Sequence, residues 1–235
     1  MSEPLRLLIH GASGRMGQTL LRLCAGDAGR LVVGAVSRKV GQRVIDGVPQ
    51  FAVAELSGVP AFDVAIDFSL AEAFDPILGL CVQRGSPLVS GTTGLSQTQR
   101  VAMEEAAKRI PVLWSANFSL GVAVLGELVE RAALALAGWD CDIVEAHHSG
   151  KKDAPSGTAL ALGARAEQGG AQPRYASVRA GDIVGEHTVQ FAAAGERIEL
   201  IHRATSRDIF ASGALHAAGR LAARPPSLYQ LRDLL

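Results

Sequence analysis

An excess of either charge is missing from this sequence. Its 235 residues carry 23 Lys and Arg against 23 Asp and Glu, a formal net charge of zero. A balanced chain has no overall electrostatic pull toward nucleic acid or an anionic membrane, so neither is expected as a partner. Any anion recognition must come from a local cluster. Cysteine is also scarce: Cys24, Cys81 and Cys141 are odd in number, far apart and free of CxxC spacing. That excludes a disulfide framework and a paired-thiolate zinc site, and leaves three buried thiols in a cytoplasmic protein as the expectation. No apolar run reaches the roughly 18 residues of a membrane helix. The first residues lack the basic start, long apolar stretch and cleavage site of a signal peptide, so none is expected. There is no HExxH pattern or acidic cluster, and no metal is expected. Internal repeats and low-complexity segments are absent too. What is present is a globular composition, 48% hydrophobic and 20% charged, long enough for one large domain or two modest ones.

Hydrophobic periodicity gives the organisation. Residues 5–10 read as a short buried strand, followed by a glycine-rich turn and a helix over 15–25. Strands follow at 31–36, 63–68, 87–90 and 111–115, with helices at 71–83 and 96–109, the latter with Ser96 as N-cap. Alternation of this kind predicts parallel βαβ units and a doubly wound sheet. After Asn117 the pattern changes. A long apolar helix over 120–137, a strand over 141–147 and a helix over 155–168 precede three successive strands at 175–179, 187–193 and 197–202. Consecutive strands without helices between them predict an antiparallel or mixed sheet in a second, smaller domain. A last helix is expected over 213–223.

Glycines at 11, 14 and 17 sit between the first strand and first helix. Such a turn lets backbone approach a diphosphate, and the helix N-terminus offers it free N–H groups. The spacing is GxxGxxG, so position in the chain carries more weight than the motif, and an unliganded tight turn is the plain alternative. The second strand runs into Ser37-Arg38-Lys39. A carboxylate there would bind the ribose 2′-hydroxyl of NAD, whereas two cations suit a 2′-phosphate, so NADPH is expected in preference to NADH, with an ordinary solvated basic loop as the plain alternative. Gly91-Thr92-Thr93-Gly94 and Ser115-Ala116-Asn117-Phe118 each follow a predicted strand, where a doubly wound sheet binds its ligand, and each is equally compatible with plain turn chemistry.

The densest chemistry runs from Glu145 to Thr158. His147 and His148 can exchange a proton near neutral pH, Lys151 can hold an anion, and the helix start at Ser156-Gly157-Thr158 offers N–H groups to a carboxylate. If the strand persists through His148, only one of the two histidines faces a substrate; if the chain has turned, both can.

These blocks, with Ala116 to Ser119, Asp153 to Ala159 and Arg179 to His187, resemble the dihydrodipicolinate reductase family of the diaminopimelate route to lysine, over nearly the whole chain. The resemblance implies an α/β fold: an N-terminal Rossmann-type domain (1–118, with a C-terminal return at 210–235) and a smaller α+β domain with a mixed sheet (119–209) that binds substrate and builds a homotetramer. It implies hydride transfer from NADPH, with NADH possible, to C4 of a small cyclic dicarboxylate. On it, His147 and Lys151 match the proton-handling pair, and His148, Lys151, Gly157 and Thr158 the substrate contacts. Gly11, Ala12, Ser13, Gly14, Arg15, Met16, Arg38, Gly91, Thr92, Thr93, Ser115, Ala116, Asn117 and Phe118 are the expected cofactor contacts. Ser37 stands where several members carry an acidic residue, and Ser149-Gly150 replaces bulkier residues of some members. The competing readings are another two-domain NADP-dependent reductase of an amino-acid precursor and a non-enzymatic NADP sensor. The first would not require the His-His-to-Thr block; the second would call for a partner module that 235 residues leave no room for.

Overall fold

The structure, a computed structural model, describes residues 3–235. In chain order the elements are β1 (Leu5–His10), α1 (Arg15–Cys24), β2 (Arg30–Ser37), β3 (Val44–Ile45), β4 (Val48–Ala52), β5 (Val64–Asp67), α2 (Phe74–Arg84), β6 (Leu88–Ser90), α3 (Gln97–Ala106), β7 (Pro111–Trp114), α4 (Leu120–Ala135), β8 (Asp140–His147), α5 (Gly157–Gln168), β9 (Pro173–Arg179), β10 (Gly185–Ala193), β11 (Glu196–Ala204), α6 (Asp208–Leu221) and β12 (Ser227–Tyr229). They form two compact units. The first runs to Phe118 and takes up the chain again over Phe210–Leu235; the second is Ser119–Ile209.

The first unit holds a sheet in the order β12-β7-β6-β5-β1-β2-β4-β3, parallel except for the β3–β4 hairpin. Its central strands are apolar on both faces, as strands covered by helices on both sides must be; β5 and β6 are buried throughout. One side of the sheet packs Leu8, Ala65, Leu88 and Val112 against Phe74, Ile77, Cys81 and Met103 of α2 and α3. The second unit is a four-stranded mixed sheet, β11-β10-β8-β9, with β8 and β9 parallel and the other pairs antiparallel. Strand alternation puts Cys141, Ile143, Val189 and Phe191 on one face, where Leu125, Val129, Ala159 and Leu162 of α4 and α5 cover them. The fold is thus α/β with a smaller mixed-sheet unit.

Three expected elements change shape, each for a local reason. The helix expected over 71–83 is a 3-10 turn, Ala71–Ala73, followed by α2. A continuous α-helix would need an N–H from Pro76 to the Glu72 carbonyl; starting at Phe74 puts the proline in the first turn, where no N–H is required. The helix expected from 155 begins at Gly157, because Ser156 is extended and caps it by accepting from the Ala159 N–H at 3.2 Å. The last helix begins at Asp208 rather than 213, with the Ser206 hydroxyl accepting from the Asp208 N–H at 3.1 Å. Strands β3, β4 and β12 were not expected; each is short and exists through its pairing partner.

Ser96 does cap α3, and a reciprocal pair secures it. Its hydroxyl accepts from the Gln99 N–H at 3.2 Å, and the Gln99 side-chain oxygen accepts from the Ser96 N–H at 3.0 Å. Ser96→Ala is expected to lower stability by about 1 kcal/mol, read as a shifted urea midpoint with an unchanged m-value.

Candidate active site

The parallel strands of the first unit bring their carboxyl ends to one edge. His10 pairs in register with Val36 and with Asp67, Asp67 with Ser90, and Ser90 with Trp114. The loops leaving those ends carry the expected cofactor contacts. Gly11 has φ +79°, and a Cβ there would lie 2.5 Å from the Phe68 carbonyl oxygen; a Cβ at Gly17 would lie 2.4 Å from the Gly11 oxygen. Only glycine allows this turn to close. Gly14 caps α1 without a side-chain bond, and no acidic residue stands in the first turn. Ser13, Gly14 and Arg15 are exposed and Ala12 is buried. A backbone stripped of side chains, at a helix start free of carboxylates, fits a dinucleotide diphosphate.

At the β2 exit the Ser37 hydroxyl is turned inward and accepts from the Ser13 N–H at 3.1 Å. Arg38 and Lys39 are exposed, and neither has an ion-pair partner among the described residues. Thr92 is buried, with its hydroxyl 2.8 Å from Asp67 Oδ2, while Thr93 is exposed. Ser115 bonds back to Asn117 within its own turn. Phe118 is buried edge-on against Phe68, ring centres 5.3 Å apart.

In the second unit, Glu145 and His147 are two residues apart on β8 and share its inner face. Glu145 is 1% exposed. Its carboxylate takes both Arg179 Nη atoms, at 2.6 and 2.9 Å, the Ser156 backbone N–H at 3.2 Å, and His147 Nδ1. Burial alone would raise its pKa, but hydrogen bonds from Arg179, Ser177 and His147 outweigh burial and hold it down at about 2. An ionised carboxylate only accepts, so the proton between the pair sits on His147 Nδ1 and Nε2 is left for exchange. A Cβ at residue 185 would stand 3.1 Å from that Nε2, so Gly185 keeps it uncrowded.

β8 ends at His147, and the chain turns at His148. The turn is pinned by Ala180 N–H to the His147 carbonyl at 2.9 Å and by Ser149 N–H to the Gly181 carbonyl at 3.1 Å. Lys151 follows, its ammonium 2.9 Å from Asp153. Gly157 opens α5 with clear space beside it, and Thr158 is half-buried. His147, His148, Lys151, Gly157 and Thr158 therefore lie along one strand end, turn and helix entry.

Behind His147 stand two more histidines. The His187 ring lies 5.2 Å from the His147 ring, and His202 lies 6.4 Å further on. His187 Nε2 is 3.3 Å from the hydroxyl of Ser156, which caps α5; His202 Nε2 is 3.3 Å from the hydroxyl of Ser119, which caps α4. Each histidine thus pins a helix start to the sheet. Burial, then the neighbouring His147 and His202, push His187 down to about 4, so it is neutral at physiological pH. Among the described residues, no group of three His, Cys, Asp or Glu side chains is placed to hold a metal ion.

Sequence profiles for the N-terminus and the C-terminus of dihydrodipicolinate reductase match residues 5–118 and 121–235. The chain belongs to the dihydrodipicolinate reductase family. It is 70% identical over 234 residues to the 4-hydroxy-tetrahydrodipicolinate reductase of Stenotrophomonas maltophilia (strain K279a), covering 99% of this chain and 98% of that one. It is 68% identical over 235 residues to that of Xanthomonas campestris pv. campestris (strain B100), covering 100% and 99%. A dipicolinate-bound dihydrodipicolinate reductase from Paenisporosarcina sp. TG-14 superposes with a TM-score of 0.84 at 21% identity, covering 99% and 100%, which speaks for the fold.

For a member of this reductase family, the motifs alone left several residues without a role. Glu145 was legible in principle, because two polar residues at i and i+2 on a strand share a face. Arg179, His187, His202 and Asp67 act through strand pairing, and no local spacing announces that.

The refusal of a proton by His187 has a pH signature. Its folded pKa lies below its ordinary 6.5, so between about 6.5 and 4 the unfolded chain binds a proton that the folded one does not. Stability should fall with pH through that window and be unaffected above it. The Glu145 contribution is lost only lower, from 4.5 toward about 2. His187→Gln should reduce the loss in unfolding free energy between pH 7 and 4.5 by roughly 2–3 kcal/mol; parallel pH curves for the two proteins would refute a proton-refusing His187.

Proposed function

We propose that this reductase prefers NADPH to NADH, holds the dinucleotide on the carboxyl edge of the first unit, and binds its dicarboxylate substrate at the β8–α5 turn of the second. The reaction is the family's: reduction of 4-hydroxy-tetrahydrodipicolinate to tetrahydrodipicolinate in lysine biosynthesis. When bound, the reduced nicotinamide would supply the hydride delivered to C4 of the cyclic substrate, with the 4-hydroxyl lost as water and one proton taken up.

The single observation that carries the substrate half is the fixed Glu145–His147 pair beside the entry of α5. Glu145 orients the imidazole and keeps the Nδ1 proton in place, so His147 Nε2 is the atom that holds and passes a proton. The N–H groups of Gly157 and Thr158, at the positive end of a twelve-residue helix, receive one substrate carboxylate. Lys151 receives negative charge next to them, in exchange for or alongside Asp153. His148, half-buried at the turn, lines the same entry. In the first unit, Gly11 to Met16 seat the diphosphate, and Gly91 and exposed Thr93, with Ser115 to Phe118, form the nicotinamide side. Arg38 pairs with the 2′-phosphate, for which its unpaired guanidinium and the inward-turned Ser37 are the support.

The face of the second sheet opposite its helices supports self-association. Val144, Val178 and Ile201 are 42, 46 and 43% exposed there, an apolar strip on an uncovered sheet. A homotetramer built through it is the assembly proposed. A cytoplasmic site of action follows from dependence on the cell's pool of reduced nicotinamide dinucleotide.

The test is a coupled assay in which dihydrodipicolinate synthase generates the substrate and absorbance follows oxidation of NADPH or NADH. Turnover that requires the synthase product is expected, and its absence with a folded protein would overturn the reading. Lys151→Ala should lower kcat/KM for the dicarboxylate roughly 100-fold or more while leaving NADPH binding intact. Arg38→Ala should raise KM for NADPH about tenfold and leave that for NADH within twofold; equal effects on both would rule out a 2′-phosphate contact.

A further inference from the structure

One buried carboxylate of the first unit has no part in the roles given so far. Asp67 ends β5 and is fully buried. Oδ1 accepts from His10 Nδ1 at 2.8 Å and from the Ser69 backbone N–H at 3.1 Å. Oδ2 accepts from the Ser90 hydroxyl at 2.9 Å and the Thr92 hydroxyl at 2.8 Å. Burial works against its charge, yet hydrogen bonds led by that of His10 hold the carboxyl below its ordinary value. No lysine or arginine is among these partners. A charge so placed is costly to bury, and it persists because donors from the surroundings are fixed upon it.

Those donors stand at, or just past, the ends of three strands, β1, β5 and β6. His10 immediately precedes Gly11 of the glycine turn, Ser69 lies in the loop after β5, and Ser90 and Thr92 flank Gly91. The loops also interlock sterically around the carboxylate. Gly11 abuts the Phe68 carbonyl, and a Cβ at Gly91 would fall 2.1 Å from the Phe68 ring. Both hydrogen-bond donors of Thr92 are committed within the protein. Its N–H donates to Ser90 Oγ at 3.2 Å, its hydroxyl serves Asp67 and the Ser69 carbonyl, and its carbonyl accepts from Trp114 Nε1 at 2.8 Å.

The structure assigns Asp67, with its partner His10, as the positioning residue of the dinucleotide edge: one carboxylate sets the glycine turn and the Gly91–Thr93 loop in mutual register, and Thr92 serves the nucleotide through Asp67 rather than by touching it. The assignment rests on the reading that this edge binds NADPH. Ionised Asp67 requires the His10 proton on Nδ1, so a donor at that atom, not the imidazole as such, is what the arrangement needs.

The experiment compares Asp67→Asn, Thr92→Val and Thr92→Ser in the full-length protein. NADPH affinity is measured by calorimetry, and KM and kcat in the coupled assay. Asp67→Asn and Thr92→Val should weaken NADPH binding roughly 10- to 100-fold, with kcat at saturating NADPH held within about threefold. Thr92→Ser, which keeps the hydroxyl, should stay within about twofold of the parent protein. A purely structural role would lower the thermal midpoint of Asp67→Asn and Thr92→Val while leaving NADPH affinity of the folded protein unchanged, and that result overturns the proposal. Thr92→Val removes one hydroxyl and keeps the shape, so it carries the test should Asp67→Asn not fold. If the unaltered protein itself fails to bind NADPH, the cofactor reading falls and takes this assignment with it; if it binds and Arg38→Ala weakens it while Asp67→Asn and Thr92→Val do not, only the assignment falls.

Discussion

The second unit is organised around a negative charge that has nowhere to go. Glu145 sits on the inner face of β8, out of reach of water, and an unpaired carboxylate in that position would cost several kcal/mol. Arg179, on the neighbouring strand β9, meets it with two nitrogens. The remaining acceptor capacity is taken by His147 and by the backbone that enters α5. One ion therefore fixes a strand pairing, the direction of an imidazole and the position of a helix start. The imidazole proposed to handle the proton and the helix proposed to bind the anion are held to each other through a common partner, which is the kind of support that keeps reacting groups from drifting.

A parallel economy governs the first unit. Its strands end at a shared edge, and each loop beyond them is short of side chains where backbone must pass close to backbone. Gly11 and Gly17 mark two such approaches and Gly91 a third, against the Phe68 ring, each with less than 3 Å between a notional Cβ and its neighbour. Polar groups facing inward are satisfied mutually: Ser37 by Ser13, Thr92 and Ser90 by Asp67. The exposed cations of the β2 exit are left uncommitted. Inward groups hold shape, and outward groups are free for a ligand.

Much of this was legible before any coordinates. The alternation of strands and helices up to residue 118, followed by strands in succession, indicates a parallel sheet and then a mixed one, and Ser96 announces its cap. The His147-to-Thr158 block points to the proposed substrate side because charged, proton-exchanging and helix-start residues crowd into one turn. Less could be read of the supporting groups. His187 faces Glu145 only because β10 pairs with β8 in one register, and Asp67 meets Thr92 only because β5 and β6 are neighbours. Such contacts depend on which strands lie side by side, and sequence spacing carries no trace of that. Pro76 was readable and outweighed by the apolar pattern around it; β3 is only two residues long, and Pro49 and Gln50 interrupt the pattern of β4.

Ser37 has a wider meaning than its single hydrogen bond. Residue 37 is where a dinucleotide-binding fold selects between a ribose hydroxyl and a phosphate, yet here its side chain is an anchor for the diphosphate turn through Ser13. Selectivity and grip are thus the business of one acceptor. A carboxylate at this position can take the same N–H with one oxygen and leave the other for a sugar hydroxyl, so on the proposed reading an acidic residue in place of Ser37 would retain the anchor. On the proposed reading of the cofactor edge, a change of coenzyme at residue 37 need not loosen the turn.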